Sequence, residues 1–199
     1  MTQDEHEHHD HEPEHHEHEP ELDYAGAVEA MRADKDTWFR SSHSSPIPHD
    51  ARHDFVGLPY FPVDPSLRFE DLTLEPYAGD QPSAFQIPTS DGRLRPAHRA
   101  GTFTFDLDGA SQHLTAYVVD GGESDSLFVP FLDTTSGHET YGAGRYLDLE
   151  PEDDGTYALD FNLAYHPNCV FDEGYSCPLT PAENRLAIRI EAGERLADT

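Results

Sequence analysis

Beyond residue 94 the apolar side chains fall at every second position, a period that leaves the backbone few choices. Phe103, Phe105 and Leu107 alternate with polar neighbours, and Leu114, Ala116 and Val118 do the same. Successive side chains of a strand point to opposite faces, so this pattern marks two strands with one buried face each. Asp108-Gly109 stands between them, and Asp-Gly supplies the two left-handed residues that a tight hairpin needs. The same reading marks Arg68 to Leu74, Ala84 to Ile87, Leu94 to Arg99, Leu127 to Leu132, Arg145 to Leu149, Tyr157 to Phe161 and Leu186 to Ile190 as strands, most of them bounded by Gly, Pro or Asp. A helical stripe occurs once, over about Asp23 to Arg40, where Leu22, Ala25, Val28 and Ala30 with Met31, Trp38 and Phe39 fall close to the helical period. With one helix and no strand-helix-strand rhythm, the expected fold is mostly β: an antiparallel β-sandwich or flattened barrel with one N-terminal α-helix.

Residues 1–21 interleave seven histidines with carboxylates and contain no lysine or arginine. Such a segment has too little apolar surface to offset its ordering entropy, which predicts a disordered acidic, His-rich tail ahead of a single β-rich domain over residues 22–199. Imidazole and carboxylate together suit transition metals, so the tail is a candidate for weak metal capture, with a solvated inert extension as the alternative.

The 40 acidic residues outnumber the 12 basic ones, giving a formal net charge of -28, and Lys35 is the single lysine. Self-repulsion at this density needs screening, and at 1 M salt the Debye length is only about 3 Å. The composition resembles that of salt-adapted proteins of halophilic archaea. It argues against nucleic acid and anionic membrane as partners, which need clustered basic residues. The sequence offers no signal-peptide pattern and no long apolar stretch, so a cytoplasmic location is expected.

Three motifs, GHETYGAGRYLDL, DFNLAYHPNCVF and CPLTPAENRLAIRIEAGE, resemble domain-of-unknown-function family 1684, with DKDTWFR, SSP and FVGLPYFPVDPSLR extending the likeness upstream over about residues 22–196. His166-Pro167 stands where the family pattern leads one to expect Asn-Pro. The resemblance implies no activity, substrate or catalytic residue.

Candidate chemistry therefore comes from the residues themselves. His166, Cys169 and Cys177 offer one nitrogen and two sulfur donors for zinc, although their spacing matches no zinc pattern. A disulfide closing the loop and a pair of buried free thiols are the alternatives. Arg145, Tyr146, Asp160, Asn162, Glu183 and Asn184 form a mixed polar set in the C-terminal motifs. A buried Arg145 would need a carboxylate, from Asp160 or Glu183, or an anionic ligand. The leading expectation is a pocket there for a small polar or anionic molecule, with catalysis left open. The alternatives are metal handling by the tail and the cysteine loop, a polar network that only fixes the loop to the sheet, and a non-catalytic interaction module using the YGAGRY turn. No GxSxG, phosphate loop, GxGxxG after a strand or HExxH occurs.

Overall fold

The computed structural model describes residues 23–120 and 126–197. The predicted tail lies outside them. The helix α1 spans Tyr24–Ser41, and Asp23 caps it by accepting from the Gly26 amide at 2.8 Å. Eight strands follow among the described residues: β1 Arg68–Leu72, β2 Glu75–Pro76, β3 Ala84–Pro88, β4 Leu94–Leu107, β5 Ala110–Val119, β6 Leu127–Phe131, β7 Arg145–Leu149 and β8 Tyr157–Asp160. The fold is mostly β with one N-terminal helix, as expected.

Six of these strands form an open antiparallel sheet in the order β2-β4-β5-β6-β7, with β3 also paired to β4. β2 and β3 share one edge of β4, at Gly101–Thr102 and Leu94–His98 respectively. The hairpin between β4 and β5 turns through Asp108 at φ 54° and Gly109 at φ 75°, the two left-handed residues of a type I′ turn. β1 and β8 pair antiparallel as a separate two-stranded ribbon.

The core lies between the sheet and this ribbon. Phe103, Phe105, Leu114, Ala116, Val129, Phe131 and Leu147 from the sheet bury against Leu67, Leu159 and Phe161. Phe69 of β1 tilts onto Phe105 with ring centroids 4.7 Å apart. The sheet remains open along this path, so the layers resemble a sandwich more than a closed barrel.

Two expectations differ in detail. Residues 94–99 and 103–107 belong to one 14-residue strand whose register shifts between Arg99 and Gly101. Leu186 to Ile190 forms no ladder, because its backbone groups bond to side chains and loops: the Ile190 amide donates to Asp133 Oδ2 at 2.8 Å, and the Ile188 carbonyl accepts from Thr134 at 2.9 Å.

The buried face of α1 also departs from the apolar stripe. Val28, Arg32 and Phe39 are buried, whereas Met31 and Trp38 are 54% and 44% exposed. Val28, Arg32, Lys35 and Phe39 follow helical spacing, so the helix brings two cations down onto the domain. No helix among the described residues is long and apolar enough to cross a membrane.

Candidate functional site

The residues singled out in the sequence occupy several polar centres and do not meet in one pocket. Arg145 opens β7 and is fully buried. Its guanidinium donates to the carbonyls of Ile190 at 2.8 Å and Glu194 at 3.2 Å, and also to that of Ala192. Its carboxylate partner is Asp133 at 3.5 Å, where the sequence pointed to Asp160 or Glu183. Burial pulls the guanidinium down to about 10 against the opposing pull of Asp133 and Glu194, so it stays charged at neutral pH.

Asp160 and Asn162 build a second centre at the end of β8. Tyr24 of α1 donates to both Asp160 oxygens at 2.8 and 2.9 Å, and the Asn162 side-chain amide donates to the Asp64 carbonyl at 2.8 Å. The Asn162 carboxamide oxygen accepts from the Asp64 amide at 2.8 Å. This centre fastens the helix and the chain before β1 to β8. The phenol of Tyr24 is pushed well above its ordinary range by burial and by the adjacent Asp160 carboxylate.

Glu183 pairs with Arg99 of β4 at 2.7 Å. Burial works to raise its carboxyl, but backbone and Arg99 hydrogen bonds outweigh that effect and hold it below the usual range. Tyr146 packs its ring against Phe128 and Tyr165 and donates to the Pro178 carbonyl.

Asn184, fully buried, fills a gap in the sheet. Among the described residues β5 and β6 pair only at Tyr117 and Phe128, and the Asn184 carboxamide accepts from the Thr115 amide at 2.8 Å while donating to the carbonyls of Thr115 at 2.8 Å and Pro130 at 2.7 Å. One side chain thus replaces a peptide group between two strands. Asn184→Leu would leave three buried backbone groups without partners, at about 1–3 kcal/mol each before relaxation. The expected result is a loss of about 3 kcal/mol of stability in chemical denaturation, and a midpoint unchanged from wild type would refute this role.

His166 bonds to Tyr141 and Glu194. Its Nε2 accepts from the Tyr141 amide at 3.2 Å, and its own backbone amide donates to Glu194 Oε2 at 2.7 Å. Burial, with Arg145 and Lys35 nearby, lowers the imidazole to about 3. The ring is therefore neutral, with the proton on Nδ1, which lies 3.7 Å from Glu194 Oε2. Among the described residues no three His, Cys, Asp or Glu side chains gather to hold a metal ion, so His166, Cys169 and Cys177 do not form a ligand set.

The centre that sequence reasoning missed is Glu194. It is 2% exposed and receives Lys35 Nζ at 2.6 Å in addition to the His166 amide. Gly193, at φ 73°, makes this approach possible, since a Cβ there would lie 2.5 Å from the Ala164 carbonyl oxygen. Phe61 is the hub beside it. Its carbonyl accepts from Arg32 at 3.0 Å, its amide donates to Gly193 at 2.9 Å, and Arg145 and Arg195 lie over its ring at 5.8 and 5.7 Å. Lys35, the single lysine, was the one sequence signal that could have led here.

Over this floor opens a cleft of about 220 Å³, walled by Ile47, Phe55, Leu58, Val170, Phe171 and Leu196, with His166, Glu194 and Arg195 also lining it. Larger clefts of about 450 and 350 Å³ lie along β8 and the loop before it, where Glu70, Asp71, Asp148, Glu150, Glu152, Asp153, Asp154 and Asp160 outnumber the one cation, Arg68. Those surfaces repel anions. The smaller cleft has an apolar wall and a buried polar floor of His166 and Glu194, with Arg195 also lining it and Lys35 paired to Glu194.

The solution NMR structure of an uncharacterised protein of Haloarcula marismortui is similar to this chain, with 42% identity, a TM-score of 0.63, and coverage of 85% of this chain and 92% of that one. No curated protein matches. The profile of the proteins of unknown function DUF1684 matches residues 53–195, from the segment that walls the cleft to the arginine that lines it, and the chain belongs to that family.

Proposed function

We propose that the domain binds a small molecule with an apolar body and a polar, anionic head in the cleft over His166 and Glu194. The observation that carries this reading is the pairing of an apolar wall with a floor whose polar side chains are 4% and 2% exposed. Ligand sites commonly combine apolar walls with a few convergent polar groups. The cleft is small: its volume equals that of about seven waters in the liquid, which favours a short-chain metabolite. Lys35 and the His166 amide engage Glu194, and Arg195 is the cation among the lining residues. Arg145 contributes by fixing the floor, because both terminal nitrogens of its guanidinium donate to the 190–194 carbonyls.

The test is ligand-observed NMR in molar KCl with short-chain carboxylates against the matching alcohols and amines. Wild type is expected to bind a carboxylate, and Leu58→Trp, which fills the cleft from a partly exposed position, is expected to lose binding with little change in melting temperature. Equal binding by the filled variant, or no carboxylate binding by wild type, would reject the reading.

A further inference from the structure

Cys169 and Cys177 face each other across a closed loop. The Cys169 amide points at Cys177 Sγ from 3.3 Å, and both thiols are free. The intervening chain is already folded back on itself: the amides of Phe171 and Asp172 donate to the Asn168 carbonyl at 3.0 and 3.2 Å, and Tyr175 donates to the Asp172 carbonyl at 3.1 Å. Cys177 is pinned from the other side, its amide donating to Ser90 Oγ at 3.1 Å and its carbonyl accepting from the Ser90 amide at 2.8 Å. The two thiols differ in access, Cys177 being 8% exposed and Cys169 partly exposed. Tyr141 Oη lies 4.0 Å from Cys169 Sγ, and Arg95 reaches the Ser176 carbonyl at 2.9 Å, which sets a hydroxyl and a cation beside the pair.

We infer that Cys169 and Cys177 are a redox modification site that closes to an intramolecular disulfide by exchange with a low-molecular-weight disulfide. Cys169, the accessible thiol, reacts first. Its thiolate attacks one sulfur of the small disulfide, the sulfur–sulfur bond breaks, and the departing thiolate takes up the proton that Cys169 released. Cys177 then attacks the Cys169 sulfur of the mixed disulfide, and the second small thiol leaves with the Cys177 proton. The protein dithiol loses two electrons and two protons, and the small disulfide is reduced to two thiols.

This order follows from access and from acidity, since burial pushes the Cys177 thiol up to about 11 and keeps it from acting as the entering nucleophile. The tyrosine hydroxyl and the Arg95 charge assist the thiolates. The bond would cost little ordering, because the loop is held closed in the dithiol form. It would tie the turn at Asn168–Val170, whose Val170 walls the cleft together with Phe171, to the segment anchored on Ser90.

The experiment treats the folded full-length chain in molar KCl with hydroxyethyl disulfide and reads intact mass before and after dithiothreitol. The expected product has lost the mass of two hydrogen atoms, carries no adduct and reverts on reduction. Its melting temperature is expected to exceed that of the dithiol by roughly 5–10 °C, given the short loop and the size of the domain. Cys177→Ala should instead stop at a mixed-disulfide adduct on Cys169. A persistent adduct on wild-type Cys169, or a folded chain left unmodified while the urea-unfolded chain reacts, would overturn the inference.

Discussion

Arg145→Ala is expected to unfold much of the protein at temperatures where wild type is stable. The change strands the carbonyls of Ile190, Ala192 and Glu194 and leaves the Asp133 carboxylate without its cation, all inside a side-chain environment with no solvent access. Removing one partner of a buried charged network typically costs about 3–5 kcal/mol, because the remaining groups keep their desolvation penalty. In a domain of this size that is a fall of roughly 10–15 °C in melting temperature, read by circular dichroism in molar salt. Arg145→Lys should recover only part of the loss, since an ammonium group cannot span carbonyls that the planar guanidinium reaches with separate nitrogens. A variant melting within a few degrees of wild type would mean that the 190–194 carbonyls find other donors, and that this arginine is available for a ligand after all.

The second large effect concerns acid. His166 titrates near 3 in the folded chain and near 6.5 when unfolded. Above pH 6.5 the ring is neutral in both states and does not affect their balance. As the pH falls from 6.5 towards 3, the unfolded chain takes up a proton that the folded chain refuses, and stability drops by about 1.4 kcal/mol per pH unit. By pH 3 the loss from this one group is on the order of 4–5 kcal/mol. His166→Gln retains an acceptor able to meet the Tyr141 amide and has no proton to gain, so the difference in unfolding free energy between the two proteins should follow that slope over the same interval. Parallel stability profiles for the two proteins would show that the folded ring is already protonated at mildly acidic pH.

Much of the fold could be read from alternation and turn chemistry. The strand at Arg145–Leu149 has the bounds that its pattern suggested, and the hairpin at Asp108-Gly109 uses the dihedral angles that this residue pair favours. The sequence misleads where a side chain replaces a backbone partner. Leu186 to Ile190 alternates like a strand, yet Asp133 and Arg145 take up the backbone groups of Ile190 that a neighbouring strand would have paired. Helical periodicity fails in α1 for a related reason: the surface beneath it contains Glu194 and the Phe61 carbonyl, so the buried face needs Arg32 and Lys35 and leaves Trp38 outside. In the site, the burial of Arg145 could be anticipated from its position before a strand. Its pairing with Asp133 could not, because that contact depends on how the irregular segments at 132–136 and 186–194 cross, and no local pattern encodes a crossing of loops. Glu194 was hidden for the same reason, lying in a stretch with neither helical nor strand period.

The segment at 186–196 has a further consequence for how the protein comes into being. It receives Arg145, accepts from Thr134 and donates to Asp133, and its later amides at Glu194, Arg195 and Leu196 reach the carbonyls of Ala164, Pro59 and Glu139. Helix, sheet and loops all close on residues that are synthesised after nearly everything they hold together. A nascent chain stalled before this segment emerges from the ribosome would lack these partners of Arg145, so those contacts form only after translation has passed residue 196. Contacts this distant in sequence slow folding and prolong the exposure of unpaired strand edges.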